Sequence, residues 1–353
     1  MHSNTSIETI KPRKTSLSLK QKSMQWFRLN DMLAVKLYHG YAYENKFFIQ
    51  GHVFSLKALP RKRYRNKLLV NIFSLIRLFI VKTVAGAHVQ LHVQGKLFQQ
   101  KTDDNGFFKF EGLSDDNFDF GWNEITADLL NGKGAIITTS NGFIFAPYIT
   151  QYGFISDIDD TFLISHSASV LKRLRILFTN NARSRKPFEG VIEHYKLLSQ
   201  ANTVIEKPNA FFYVSSSEWN LYDYIAEFAR VNDLPRGIFL LNRLKKFSQL
   251  FKTGKNNHGG KYDRIAQILQ AFPKQQFILL GDSSQQDPYI YTSLVDNFPG
   301  RIYAVYIRDI YEKNREKVKT ALMKLDDAGI AYCFFVHSAE AIEHSKKIGL
   351  INS

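Results

Sequence analysis

The stretch Phe154-Ile155-Ser156-Asp157-Ile158-Asp159-Asp160-Thr161 decides how the rest of the chain is interpreted, because a short apolar run ends there at three carboxylates. Such a run predicts a buried strand, and carboxylates after it would lie at the carboxyl edge of a sheet, where open α/β folds bind ligands. The D-x-D spacing leaves room for Asp157 to act as a nucleophile and for Asp159 to transfer protons. The same residues also suit an Asp-rich turn that caps a helix, so the choice depends on residues further along the chain.

From residue 151 to residue 353, apolar runs alternate with amphipathic stretches, which is typical of a doubly wound, mainly parallel sheet. The predicted strands cover 154–158, 211–214, 238–241, 277–280, 302–307 and 332–336, and the predicted helices lie near 188–200, 219–231, 262–271, 288–297, 312–327 and 338–348.

Polar side chains follow several of these predicted strands. Ser215, Ser216 and Ser217 come directly after the second strand, and Gly281-Asp282 begins a turn after the fourth strand that continues to Asp287. Lys261 lies on the helix predicted between them, which opens at His258. Because the carboxyl ends of parallel strands meet at one edge, we expect acids, hydroxyls and one cation to converge there.

These segments resemble the four motifs of the haloacid dehalogenase superfamily of aspartate-nucleophile phosphatases: D-x-D-x-T, a strand-ending Ser or Thr, Lys, and G-D-x-x-x-x-D. Residues 154–161, 213–222, 278–291 and 303–309 more specifically resemble the catalytic domain of the actin-patch-protein-type phosphatidate phosphatases and their bacterial relatives. The sequence departs from that pattern at Glu218, where Pro is usual, and at Ser284, where Gly is usual.

The resemblance implies a haloacid dehalogenase-like phosphatase domain over 151–353, with a small cap inserted at about 162–208. It also implies a catalytic set in which Asp157 attacks phosphorus and Asp159 protonates the leaving oxygen and then activates water. Ser215 and Lys261 would neutralise the phosphoryl oxygens.

Mg²⁺ is the implied cofactor, since this ion prefers oxygen ligands. The implied ligands are Asp157, Asp159 and Asp282, with Asp287 in support. For substrate contacts, we expect Thr161 and three basic residues of the cap, which are Arg183, Arg185 and Lys186.

Residues 30–150 alternate apolar and polar positions between turn residues, as in Ala87–Val93 and Gly106–Phe110, and this predicts an antiparallel β-sandwich. The segment 84–113 is similar to transthyretin-type and carboxypeptidase-regulatory-type sandwiches. No further ligand stands at a suitable spacing from His52, His88 and His92, so we do not expect a metal site among these histidines.

A basic and apolar segment at 60–82 interrupts this domain. Residues 60–67 contain five cations, and residues 68–81 form an apolar stripe on one helical face. This stripe is too short to span a bilayer. Two interpretations stay open: a helix packed on the other domain, which we favour, or a helix lying in a membrane interface.

Composition limits the class of protein. The chain has 353 residues, 44% of them hydrophobic and 14% aromatic, enough for two cores. The single cysteine, Cys333, is typical of a reducing compartment, so we expect a cytoplasmic location with peripheral contact with anionic membranes. Residues 1–29 have the composition of a basic flexible arm without a signal-peptide core.

The net charge of +15 favours a polyanionic partner but does not distinguish between nucleic acid, lipid and a phosphorylated substrate.

Our leading expectation is a Mg²⁺-dependent phosphomonoesterase that acts on phosphatidate or another phospholipid phosphate. One alternative is a phosphatase of nucleic-acid ends or soluble phosphates, although nucleic acid is not the expected partner because no stacking platform is evident. The other is a non-catalytic adaptor that binds a membrane or a protein. The sequence does not predict an oligomeric state.

Overall fold

The computed structural model of the chain describes residues 31–57, 82–148, 152–158, 188–242 and 258–352. The predicted basic arm, the inserted segment up to residue 81 and the predicted cap up to residue 187 lie outside the described residues. The two halves predicted from the sequence pattern are each represented by one sheet.

The first sheet is formed by strands between residues 31 and 146 and is antiparallel except where β2 runs parallel to β9. Alternating side chains fill its core, as in β5, where Val89, Leu91 and Val93 are buried between more exposed neighbours. Its strands are β1 (Asp31–Leu37), β2 (Gly40–Tyr43), β3 (Lys46–Lys57), β4 (Lys82–Thr83), β5 (His88–Val93), β6 (Lys96–Lys101), β7 (Phe107–Leu113), β8 (Gly121–Leu130) and β9 (Ile136–Ala146).

The second sheet is parallel throughout, in the order β12-β11-β10-β13-β14-β15. The chain begins in the middle at β10, adds strands on one side and then crosses to β13 on the other side. Each predicted strand of this half is confirmed. The strands are β10 (Tyr152–Ser156), β11 (Ala210–Glu218), β12 (Ile238–Asn242), β13 (Gln276–Asp282), β14 (Ile302–Arg308) and β15 (Ala331–Phe335).

Helices cover both faces of the parallel sheet. Phe154 and Phe211 point to a core shared with α1, α2 and α6, whereas Ile155 and Phe212 point to a core shared with α3, α4 and α5. The helices are α1 (Val191–Ser199), α2 (Tyr222–Val231), α3 (His258–Ala271), α4 (Asp287–Asn297), α5 (Arg315–Asp327) and α6 (Ser338–Lys347), with single 3₁₀ turns at Trp219–Leu221 and Glu312–Asn314.

The predicted α/β class is therefore confirmed at the level of a parallel sheet that follows an antiparallel one. Helix α1 falls inside the range assigned to the cap, yet Val191, Tyr195 and Leu198 pack in the core of the parallel sheet. Within the described ranges, every helix is too short or too polar to cross a membrane.

The extent of the second parallel strand differs from the prediction. We expected this strand to end at Val214 and the three serines to lie beyond it, but β11 continues to Glu218. Its pairing with β12 shifts register between Val214 and Glu218, so the serines form an irregular, bulge-like segment of the strand. Such irregularities re-aim side chains near active sites.

Candidate active site

The strand order of the parallel sheet reverses between β10 and β13, and their carboxyl ends lie side by side. Asp157 directly follows β10, and its backbone N–H donates to the Leu280 carbonyl of β13 at 2.8 Å. Asp282 is the last residue of β13. The crevice outside such a switch point is where open α/β sheets bind ligands.

Asp287 opens helix α4 and completes a group of three acids. Carboxylate oxygens of Asp157, Asp282 and Asp287 lie within 4.8 Å of one another, and all three side chains are buried. Gly281 permits this closeness, because a Cβ atom at its position would lie 2.6 Å from Asp287 Oδ2. The predicted G-D-x-x-x-x-D segment therefore brings both of its acids to Asp157.

Lys261 of helix α3 supplies the cation that the sequence placed here. Its ammonium lies 2.6 Å from Asp157 Oδ1, also contacts Asp287 Oδ1, and is only 3% exposed. When all three carboxylates are ionised, the single ammonium leaves two net negative charges in a buried site, where uncompensated charge is costly.

Two pKa shifts show how strongly these groups interact. Burial alone would lower the pKa of Lys261, but Asp157 and Asp287 together raise it above its ordinary value, so the ammonium stays charged. Burial raises the pKa of Asp287 and, although Lys261 lowers it, Asp157 raises it further, to about 7.

Two of the acids also have an oxygen directed elsewhere. Within the part of the chain that the structure describes, Asp157 Oδ2 and Asp287 Oδ2 are buried and make no hydrogen bond. A buried carboxylate oxygen normally has a partner. The charge balance and these two oxygens suit a divalent cation with oxygen ligands.

Ser215 lies in the irregular part of β11, beside the acid group in the sheet order. Its hydroxyl accepts a hydrogen bond from the Ser217 N–H at 2.8 Å, which folds the backbone tightly at this point. Arg264, one helical turn after Lys261 on α3, donates from Nη2 to the Ser215 carbonyl at 3.0 Å. Helix α3 thus places Lys261 beside the acids and Arg264 beside residues Ser215–Glu218, which we call the serine segment.

Comparison with known proteins assigns the segment that carries these residues. Residues 152–309 match the family model described as phosphatidate phosphatase APP1, catalytic domain. This segment is similar to that catalytic domain. The family recognised from the sequence is therefore confirmed for the part of the chain that holds the acids, the lysine and the serine.

Two curated relatives extend the comparison. The chain is 36% identical over 168 residues to phosphatidate phosphatase APP1 of Saccharomyces cerevisiae, a match that covers 46% of this chain and 27% of the relative. It is 22% identical over 260 residues to an uncharacterized protein of Schizosaccharomyces pombe, covering 72% and 40% respectively. The chain thus spans less than half of the length of either relative.

A solved structure of a carbohydrate acetylesterase from Xanthomonas citri aligns with 88% of this chain and 72% of its own, at 8% identity and a TM-score of 0.28. A TM-score this low carries no conclusion about the fold.

Several predicted site residues lie outside the described residues: Asp159, Thr161, Arg183, Arg185 and Lys186. Of the two departures from the family pattern, Ser284 donates its backbone N–H to Asp282 Oδ1 at 2.6 Å, so the residue at this position contacts a site acid through its backbone. Glu218 pairs with Asn242 through the backbone of β11 and β12.

The structure also places residues at the site that the sequence reasoning missed. Ser156 donates its hydroxyl to the Asp157 carbonyl at 2.7 Å and lies 2.8 Å from the Tyr195 hydroxyl of α1. Arg264 had a usable signal, because a cation three residues after Lys261 lies on the same helical face. No sequence signal marked Tyr195 as a site residue, since a buried aromatic residue is usually interpreted as part of the hydrophobic core.

Two of the histidines singled out in the sequence have partners within the antiparallel sheet. His52 is buried and its Nδ1 lies 3.0 Å from the Tyr38 hydroxyl, while His92 pairs with Asp128 at 2.7 Å. Among the described residues, the group suited to a metal consists of the three acids alone.

Proposed function

We propose that this chain is a Mg²⁺-dependent phosphomonoesterase that forms an aspartyl-phosphate intermediate, with phosphatidate or a closely related phospholipid phosphate as substrate. The observation that carries the proposal is the buried group of three acids and one lysine at the switch point of the parallel sheet. It lies in a segment that is similar to a phosphatase catalytic domain.

Asp157, Asp282 and Asp287 would hold the ion, together with the backbone carbonyl of Asp159. Their excess negative charge matches a divalent cation, and Mg²⁺ favours carboxylate and carbonyl oxygens. When bound, the ion would supply positive charge to the phosphoryl oxygens as the P–O bond breaks.

Asp157 would attack phosphorus with a carboxylate oxygen while the bond to the ester oxygen breaks, and Asp159 would give its proton to the departing alkoxide. Asp159 would then take a proton from water as that water attacks the aspartyl phosphate, which releases inorganic phosphate and restores Asp157. Ser215 would donate a hydrogen bond to a phosphoryl oxygen. Lys261 would hold the nucleophile in place and offset the charge that develops.

The finer architecture belongs to the same proposal. We assign a haloacid dehalogenase-like fold to 151–353, with the cap inserted from about 162 and ending before helix α1, since α1 packs in the core of the parallel sheet. We assign a β-sandwich to 30–150, with the basic and apolar insertion at 60–82. The basic cap residues Arg183, Arg185 and Lys186, with Thr161, would face the substrate. A basic chain with this substrate would work in the cytoplasm at the surface of anionic membranes.

The test measures phosphate release from phosphatidate, lysophosphatidate, sugar phosphates, nucleotides and phosphorylated oligonucleotides, with Mg²⁺ and with excess chelator. We expect phosphatidate to be preferred, and chelator to abolish turnover. Asp157→Asn keeps the shape of the side chain but removes the attacking anion, so turnover should fall at least about 1,000-fold.

Asp263→Asn is the matched control, because Asp263 is an exposed aspartate of helix α3. This variant should keep its turnover. Substantial activity in Asp157→Asn would exclude the assigned nucleophile, and full activity in chelator would exclude the metal. A preference for oligonucleotides would favour the nucleic-acid alternative, and no release from any substrate would favour the adaptor.

A further inference from the structure

The serine segment of β11 is held in place by a contact from the antiparallel sheet. Trp219 directly follows β11 and is 3% exposed. Its ring stacks on Tyr38, with 4.1 Å between centroids and 22° between planes. Tyr38 belongs to the antiparallel half of the chain, in the turn between β1 and β2. The end of the serine segment is therefore packed against a residue from outside the family-matched region.

Tyr38 is itself held firmly on its own side. Its side chain is 1% exposed, and its hydroxyl lies 3.0 Å from His52 Nδ1 of strand β3. The ring of His52 stacks on Phe54 at a centroid distance of 5.5 Å and contacts Phe107 edge-on at 5.1 Å. A ring restrained in this way cannot move without disturbing the antiparallel core.

Neighbouring contacts keep the two halves aligned at this point. The His39 N–H donates to the Tyr222 hydroxyl at 3.1 Å, and Lys36 lies 2.5 Å from Asp223. The ring of Tyr38 is also 4.6 Å from that of Tyr222. Together these contacts place the start of helix α2 against the end of strand β1.

We propose that Tyr38 is a positioning residue for the phosphatase reaction, because its stack on Trp219 fixes the serine segment Ser215–Glu218 against the acid group. Arg264 would hold the segment at its start through the Ser215 carbonyl, and Tyr38 would hold it at its end through Trp219. The antiparallel half is then part of the machinery that positions Ser215. This inference rests on the proposed phosphatase function.

A different contact between the halves provides a matched control. Arg236, in the loop before β12, lies 3.9 Å above the ring of Trp122 in β8 and 5.2 Å from Phe143 in β9. This contact joins the same two halves without touching the serine segment. Arg236→Ala should therefore lower the thermal midpoint of unfolding and leave kcat unchanged.

The experiment uses the full chain and a monomeric, short-chain phosphatidate with Mg²⁺, so that membrane attachment does not contribute. Tyr38→Ala should lower kcat by about 10- to 100-fold, the loss expected from a misplacement on the order of 1 Å. Tyr38→Phe keeps the ring and should retain most of kcat. If Tyr38→Ala unfolds below the assay temperature, Tyr38→Leu takes its place, because it keeps apolar volume without the ring.

A double-mutant cycle separates positioning from simple stabilisation. In a Ser215→Ala background the effect of Tyr38→Ala on kcat should nearly disappear, because the group that Tyr38 positions is already absent. An undiminished effect in that background would overturn the proposal, as would unchanged kcat in the single variant. A loss seen only on vesicles would overturn it in favour of a membrane role. Inactivity of the unmodified chain would instead refute the proposed function on which it rests.

Discussion

At the scale of single residues, the site depends on a lysine so deeply buried that its ammonium stays charged only because carboxylates lie beside it. Lys261 is 3% exposed, and its ammonium is compensated by Asp157 and Asp287. Removing one partner of a buried ion pair costs about 3–5 kcal/mol, because the other charge is left without compensation. The acids in turn exceed the lysine in number, so the same cluster that restrains Lys261 also calls for a further cation.

Gly281 controls how closely the acids approach one another. In Gly281→Ala the new Cβ would lie 2.6 Å from Asp287 Oδ2 and 2.9 Å from a ring carbon of Tyr291, so Asp287 must move. We expect a loss of about 1–3 kcal/mol in the free energy of unfolding, typical of overpacking. We also expect Mg²⁺ to raise the thermal midpoint less than in the unmodified chain.

The matched control for that change is Gly260→Ala. Among the described residues, a Cβ at Gly260 meets Arg264 Nη1 alone, at 3.4 Å, and Gly260 lies in helix α3. Alanine in a helix is more favourable than glycine by up to about 1 kcal/mol, so this variant should be as stable as the unmodified chain or more stable. An unaltered Mg²⁺ response in Gly281→Ala would contradict the assignment of Asp287 to the metal.

The residues of the site were predictable to the extent that they follow strands. Asp157, Asp282 and the serines could be brought together from the sequence, because carboxyl ends of parallel strands share an edge. Tyr195 and Tyr38 could not. Their positions depend on which helix and which turn pack nearby, and a buried tyrosine has the same local pattern as any core residue.

At the scale of elements, strand boundaries were the weakest part of the prediction. The apolar run stops at Val214, so the sequence favoured a strand that ends there. The structure continues β11 to Glu218 through a register shift. The shifted segment contacts residues that are distant in sequence, namely Arg264 at the Ser215 carbonyl and Tyr38 at Trp219. No local pattern encodes these contacts.

Helix α3 contacts the serine segment as well as carrying Lys261. Arg264 donates to the Ser215 carbonyl at 3.0 Å, and burial lowers its pKa to about 10, which still leaves it charged at neutral pH. Arg264→Met keeps the length of the side chain but removes the donor. We expect kcat for phosphatidate to fall roughly 10-fold, with KM changed less, because the serine is displaced.

Gln267 is the control on the same helix. Its side chain is half-buried and donates to Glu111 of β7 at 3.0 Å. Gln267→Ala removes a contact between the two halves of the chain but none to the serine segment, so kcat should not change. Equal effects of the two substitutions would show that α3 acts through general packing.

At the scale of the whole molecule, the two sheets share their interior. Tyr41 and Phe48 of the antiparallel sheet pack with Phe212 and Phe272 of the parallel half. The change from strand alternation to strand–helix alternation indicated two units along the chain. It could not indicate that aromatic residues of the first unit complete the core of the second, because the facing surfaces are far apart in sequence.

Each half also buries a histidine whose protonation would oppose folding. Burial lowers the pKa of His52 in β3 and of His194 in α1 to about 3, from an ordinary value of 6.5. Between these pH values the unfolded chain binds more protons than the folded chain, so stability falls as the pH drops through this window. From pH 7 to pH 5.5 each histidine should cost about 1 kcal/mol.

The test compares the free energy of unfolding at pH 7 and pH 5.5 in the same protein, so that direct effects of a substitution cancel. His52→Gln and His194→Gln should each reduce the difference by about 1 kcal/mol, and the double variant by about twice that amount, since the sites lie in separate parts of the structure. His88→Gln, at an exposed position of β5, should leave the difference unchanged. If the His52 and His194 variants keep the full difference in the free energy of unfolding between the two pH values, the acid sensitivity arises from other groups. The prediction that these buried histidines lose stability on protonation would then be wrong.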